Sequence, residues 1–231
     1  VNTIQAKREG VFEVDLQLRP YGSGGSMAVM LRAFENYFAP DGPAWDYERQ
    51  ALLRLRPIAG DAALGNRLLN LRDEYIHHAG ASFDVAAMRA MRERQRRHLV
   101  TAGTFNAKFS AGGVVDVEYL VQALQINHGR SYESVRHANM REAMRALRAA
   151  GVLSDGDFEQ LYAAHQFLRL LINALRMVRG NAHDLTLPSA ESEEFAFLAR
   201  RLNYHSNVER LASDLARHSQ NVREISTRLL V

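Results

Sequence analysis

The residues best placed to do chemistry stand in an alternating stretch near the amino end. From Val11 to Leu18, Phe12, Val14, Leu16 and Leu18 point one way, and Glu13, Asp15, Gln17 and Arg19 point the other. A period of two predicts a strand with one buried face. Asp15, with a polar residue two places on, suits a two-metal phosphoryl-transfer site. Two magnesium ions need several hard oxygen ligands held on rigid elements, and a strand supplies fixed positions. The run Gly22-Ser23-Gly24-Gly25 lets backbone approach a triphosphate closely. The same residues also read as an edge strand with a solvated polar face and an ordinary turn.

Two further groups invite a functional reading. Trp45, Glu48 and Arg49 fall on a helical segment, where positions four apart share a face. They either orient a nucleotide or substrate or anchor the helix. Gly112-Gly113 stands before a helix, where free backbone N–H groups attract phosphate. Asp116 and Glu118 follow in the first turn; they would repel phosphate, and they complement the helix dipole without any ligand. The run Arg89, Arg92, Arg94, Arg96, Arg97, His98 reads as spread round its helix, which makes a solvated face the default over contact with phosphate or an acidic partner. His165 and His218 sit in apolar seams and read as core histidines rather than metal ligands. No His-Glu-x-x-His and no Walker-type glycine loop occurs.

The elements that must position these groups are mainly helical. Pro20 and the glycine run end the strand. A lone strand is not stable, so its partners lie outside the chain or in short pieces such as Ser26 to Met30 and Ala107 to Phe109. Leu31 to Phe38 is a short helix stopped by Pro40. Pro43 suits a first helical position, with helix formers from Ala44 to Leu55. Asp61 caps a helix to about His78, with Leu64, Leu68 and Leu71 on one side, and Ser82 or Asp84 opens another through about Leu99. Beyond Gly112-Gly113, Val117, Leu120, Val121 and Leu124 point inward. A helix from about Val135 to Ala150 ends at Gly151. Ser154 caps a long helix with Asp157 at the third position and Phe158, Leu161, His165, Leu168, Ile172 and Leu175 along one seam. Pro188 marks entry to a helix through about Leu202. Ser206 and Glu209 form a capping box before Val208, Leu211, Leu215, His218, Val222, Ile225 and Leu229.

Composition narrows the class. The chain has 231 residues, no Cys, and 29 basic against 26 acidic side chains for a net charge of +3. A chain of this size buries roughly 70% of its unfolded surface without disulfide or metal staples. Zero Cys removes thiolate catalysis and Cys-type zinc sites. The small positive excess gives no reason to expect nucleic-acid binding. No apolar run is long enough to cross a membrane and no signal peptide is visible, so a cytoplasmic protein is expected.

Six motifs in order resemble one family. "VFEVDLQLRPYGSGG", "FENYF", "WDYERQALLRLRPIAGD", "MRAMRER", "AGGVVDVEYLVQALQI" and "FLRLLINALRMV" with "LTLPS" look like glutamine synthetase adenylyltransferase/deadenylyltransferase, from about Gly10 to Pro188. They are also close to PII-uridylyltransferase, but "ERQALLRLR" and "AGGVVDVEY" favour the glutamine synthetase branch.

The resemblance implies a mainly α chain: residues 1–30 as the end of a polymerase-beta-like nucleotidyltransferase palm, and residues 31–231 as an all-helical domain. It implies Asp15 as the third metal carboxylate of a magnesium site that takes ATP, with Arg19, Lys108, Gly112 and Gly113 toward phosphate. Trp45, Glu48, Arg49, Asp116 and Glu118 would orient substrate or domain. Glutamine synthetase is the implied partner, with the PII signal protein a second. The family's Gly-Ser…Asp-x-Asp ligands are absent from these residues, so the isolated chain is expected to be inactive. "LTLPS" looks slightly more like the adenylyl-removing half. The alternatives are a non-catalytic helical module that binds glutamine synthetase or PII, a PII-uridylyltransferase-like protein, and a nucleic-acid binder acting through the arginine run.

Overall fold

In a computed structural model of the chain, the described residues are 19–78, 84–180, 183–205 and 207–230, with the backbone of Gln5–Ala6 and Glu9–Gly10. They form two compact units, Val1–Ile76 and His77–Val231. The division expected between residues 30 and 31 falls inside the first of these.

In the first unit, β1 (Gln5–Ala6) pairs antiparallel with β2 (Glu9–Gly10). The strand expected over residues 11–18 lies outside the described residues. Ser26 to Met30, suggested as a sheet partner, forms no strand. Helix α1 (Leu31–Phe38) buries Phe34, Tyr37 and Phe38. These aromatics pack ring to ring, with Phe34 and Phe38 centroids 4.7 Å apart and Tyr21 edge-on to Tyr37 at 4.6 Å. The backbone turns extended at Ala39, as the residue before a proline tends to do. Helix α2 (Asp46–Ala51) runs into a 3-10 turn at Leu52–Arg54. It starts later than Pro43 suggests, because Trp45 is the capping residue.

Helix α3 (Ala62–Ile76) begins at Asp61, whose Oδ1 accepts the Leu64 N–H at 2.8 Å. The predicted leucine face is only partly buried, with Leu68 and Leu71 half-buried. Leu64 is exposed, and Gly65, Arg72, Tyr75 and Ile76 are buried. Gly65 packs closely on Pro57, where a Cβ would stand 3.0 Å from the ring.

The second unit is an all-helical bundle among the described residues. Helix α4 (Val85–Leu99) is capped by Asp84, whose carboxylate accepts the Ala87 N–H. Helix α5 (Val114–His128) is apolar nearly all round. Val114, Val117, Leu120, Val121 and Ala123 are all buried, which makes it the central helix. Helix α6 (Met140–Ala149) starts at Asn139 rather than near Val135. Residues Glu133–Val135 form a separate 3-10 turn, and the Asn139 side chain accepts the Arg141 N–H. It ends as expected at Gly151, in the left-handed region at φ +72.

Helix α7 (Asp155–Arg179) carries the long seam. Phe158, Leu161, His165, Leu168, Ile172 and Leu175 are all buried, as their spacing requires. Helix α8 (Glu193–Arg201) is capped by Ser192, four residues beyond Pro188, because the Ser192 Oγ takes the Phe195 N–H. Helix α9 (Val208–Leu229) packs along α7 and buries Leu211, His218, Val222 and Ile225. Its cap is Asn207, which accepts the Arg210 N–H at 2.9 Å; Ser206 lies outside the described residues. The short segment at Ala107 to Phe109 is a turn, and the neighbouring Asn106 bridges antiparallel to Thr186.

Candidate functional site

Asp15, the candidate catalytic and metal-binding residue, lies outside the described residues. Among those described, no three His, Asp or Glu come together as a metal-holding group.

Arg19 follows directly. Its Nε donates to the Gly25 carbonyl at 3.0 Å and its Nη2 to the Ser23 carbonyl at 3.2 Å. The glycine run therefore wraps its carbonyls round a guanidinium. A Cβ on Gly25 would lie 1.9 Å from the Pro20 carbonyl oxygen, so the wrap requires glycine there.

Trp45, Glu48 and Arg49 make anchoring contacts within their unit. Glu48 accepts the Tyr37 hydroxyl at 2.9 Å and the Trp45 N–H at 2.9 Å, which ties the start of α2 to α1. Burial and that carboxylate push the Tyr37 phenol above its ordinary pKa. Arg49 gathers the carbonyls at the end of α1: Phe38 at 3.4 Å, Ala39 at 2.8 Å and Gly42 at 3.2 Å. These are acceptors a helix end leaves open. Trp45 is not inside the helix. It stands at the cap with extended backbone, 68% exposed, and stacks on Tyr47 at 6.3 Å.

In the second unit, Lys108, Gly112, Gly113 and Asp116 come together in the turn that leads into α5. Asn106 organises it, since its Oδ1 accepts the N–H groups of Lys108 and Phe109, both at 3.0 Å. The N–H groups expected to hold phosphate are already used. Gly112 donates to Asp116 Oδ2 at 2.7 Å, Gly113 to Ser110, Val114 to Ala107 and Val115 to Lys108. Gly112 has φ +77 and lies against α9, where a Cβ would meet the Ser219 carbonyl oxygen at 2.3 Å. The glycine pair thus serves helix entry and close packing. Lys108 keeps its ammonium exposed, 4.8 Å above the Phe109 ring. Glu118 is half-buried on α5.

The sequence reading missed the partner of Asp116. Arg92 on α4 is buried and donates from Nε to Asp116 Oδ1 at 2.7 Å, from Nη2 to the Phe109 carbonyl at 3.0 Å and from Nη1 to Gln95 at 3.0 Å. The one available signal is its spacing, four residues after the buried Met88. The arginine run is also less uniform than expected. Arg89, Arg92 and Arg96 step by three and four and line one cleft, whereas Arg94 and Arg97 lie off that stripe.

Both core histidines are buried as expected, at 8% and 7% exposure for His165 and His218. His218 stacks on Phe167 at 4.7 Å. Burial and the adjacent Arg217 hold its imidazole below its ordinary pKa. No helix among the described residues is long and apolar enough to cross a membrane.

Two family models divide the chain between them. That for glutamate-ammonia ligase adenylyltransferase matches residues 3–71, and that for GlnD PII-uridylyltransferase matches residues 86–230. Among curated relatives, the bifunctional glutamine synthetase adenylyltransferase/adenylyl-removing enzyme of Mycobacterium bovis is 36% identical over 92% of this chain. The enzyme of that name from Pseudomonas syringae pv. tomato is 29% identical over 93%, and that from Bordetella pertussis 36% over 84%. The chain spans only 22% of the length of each.

Proposed function

We propose, for a chain that belongs to the glutamine synthetase adenylyltransferase family and whose residues 86–230 match the PII-uridylyltransferase model, that it forms part of an enzyme attaching AMP to glutamine synthetase or removing it. The observation that supports this reading best is the clamp of Arg92, Asp116 and Gly112. It fixes the turn from Asn106 to Gly113 and leaves Lys108 exposed on it. A cation on a rigid turn can meet phosphate charge without reorganising.

In this reading ATP is the nucleotide and Asp15 is one magnesium ligand, the others lying outside these residues. Magnesium would supply charge neutralisation at the transferred phosphoryl group. Lys108 and Arg19 would face phosphate, with Arg19 also holding the glycine loop. Asp116, Glu48 and Arg49 act as positioning residues, and Glu118 and Trp45 remain candidates for substrate orientation. The working compartment is the cytoplasm.

The test is AMP incorporation into glutamine synthetase, or its removal, by the longer protein containing this chain. Asp15→Asn is expected to abolish turnover. Full activity of that variant would sink the assignment.

A non-catalytic docking role for the helices has its own support. Leu170, Met177 and Phe197 are exposed, and the Arg201 guanidinium lies 3.2 Å from the Met177 sulfur, joining the exposed faces of α7 and α8. Capture of glutamine synthetase or PII protein by this chain, without nucleotide affinity, would favour that role.

A further inference from the structure

The cleft between α4, the start of α5 and the end of α9 is built for an anion. It is an open cleft of about 380 Å³, within the range of small-molecule sites. Arg89, Arg92 and Arg96 enter it from α4, and Arg223 enters from α9. Only two carboxylates share the lining, and both are already engaged. Asp116 is held by Arg92 and Gly112, and Glu93 by Arg96 and Arg97. The four guanidiniums therefore leave the lining net positive.

Donors remain available. A guanidinium has five N–H groups. Arg89 spends one on the Leu230 carbonyl, and Arg223 spends one on Gln220. The Ser226 Oγ, also in the lining, is buried with no hydrogen-bond partner among the described residues. Met88, Tyr119 and Leu230 give the same cleft an apolar wall.

We propose that this cleft binds a small phosphorylated molecule, with Arg89 and Arg223 on its phosphate and the apolar wall against its ring or hydrocarbon part. Forked guanidiniums match phosphate oxygens in pairs. The volume and the apolar wall suit a small molecule. The inference uses the second unit alone and stands whether or not the chain takes part in adenylyl transfer.

The test titrates the full chain with phenyl phosphate and with inorganic pyrophosphate, followed by calorimetry or amide chemical shifts. Saturable binding is expected, with shifts at residues of α4 and the end of α9. The double variant Arg89→Gln/Arg223→Gln removes two exposed cations and should weaken binding by at least about tenfold. Arg94→Gln, off the stripe, should change nothing. The proposal is overturned by absence of saturable binding, by unchanged binding in the double variant, or by an equal loss in Arg94→Gln. Duplex DNA displacing phenyl phosphate through the same arginines would overturn the small-molecule assignment.

Discussion

Arg92 and Asp116 meet through a 2.7 Å charge-assisted hydrogen bond that joins α4 to the first turn of α5. The arginine side chain is only 10% exposed and the aspartate 22%. Asp116 uses its second oxygen on the Gly112 N–H, and Arg92 uses a second donor on the Phe109 carbonyl. One ion pair thus holds the turn from both sides. Removing one partner of a buried pair strands the other, which costs roughly 3 kcal/mol or more. Asp116→Ala should lower unfolding stability by about 3 kcal/mol, with Asp116→Asn costing less because one amide oxygen still accepts. Urea unfolding followed by circular dichroism measures both, and a loss under about 0.5 kcal/mol for the alanine variant would show the pair to be unimportant.

Gly112→Ala meets two obstacles at once. The backbone sits at φ +77, and the new methyl would stand 2.3 Å from the Ser219 carbonyl oxygen of α9. That neighbour is backbone and cannot rotate away. The expected loss is about 2 kcal/mol or more. Gly151 has a similar φ of +72 but nothing within 4 Å, so Gly151→Ala should cost less. A thermal-melt comparison of the two separates backbone strain from steric contact.

Acid should loosen the α7–α9 pairing. The Arg228 guanidinium, 3.1 Å from Asp157 through Nη1, holds that carboxyl below the usual range, with help from the Ser154 hydroxyl. A depressed native pKa contributes stability above the unfolded value of about 3.9 and loses it as pH falls through the native one. Asp214, held down by Arg217, works in the same direction. Asp157→Asn should therefore be less stable than the parent near neutral pH, the gap closing below about pH 4. A constant gap between pH 7 and pH 3 in the melting temperature would contradict the assignment.

The alkaline side is set by Tyr204. Burial, with its 2.8 Å hydrogen bond to Asp214, pushes the phenol up to about 12. A raised native pKa gives stability that is complete below the unfolded value of about 10 and is lost as pH rises toward the native one. Ultraviolet titration should show a late phenolate step that Tyr204→Phe removes. Survival of that step in the variant would assign it elsewhere, Tyr37 and Tyr75 also being raised.

Lys108 separates the catalytic reading from the structural one. Its ammonium is exposed and its ring contact is with the neighbouring Phe109, so Lys108→Ala should leave the melting temperature within about 1 °C. In the longer protein the same change should lower adenylyl transfer at least about tenfold. Unchanged transfer would remove Lys108 from the site.

The long seams were legible without coordinates. Phe158 to Leu175 and Leu211 to Ile225 step by three and four, and burial of those faces follows from helical period alone. The caps Asp61, Asp84 and Ser154 could be read because a single side chain satisfies a nearby N–H. Where two caps competed the reading slipped: Ser192 prevailed over the entry at Pro188, and Asn139 over a start near Val135. In α3 the leucine spacing located the inward side only in part: Leu68 and Leu71 are half-buried, while Gly65, Arg72, Tyr75 and Ile76 are buried.

By itself the sequence determined the helical class, the seams that pack α7 against α9, and the ordered motifs that identify the family. Those depend on local period and residue type, which survive in one dimension. Tertiary structure decided what the motif residues touch. Only in the fold does Arg92 reach Asp116 across 24 positions and Arg228 reach Asp157 across 71. Only there does Gly112 lie against Ser219 and leave its N–H to a carboxylate rather than to phosphate. A guanidinium can choose among many acceptors, and packing alone brings one of them within 3 Å.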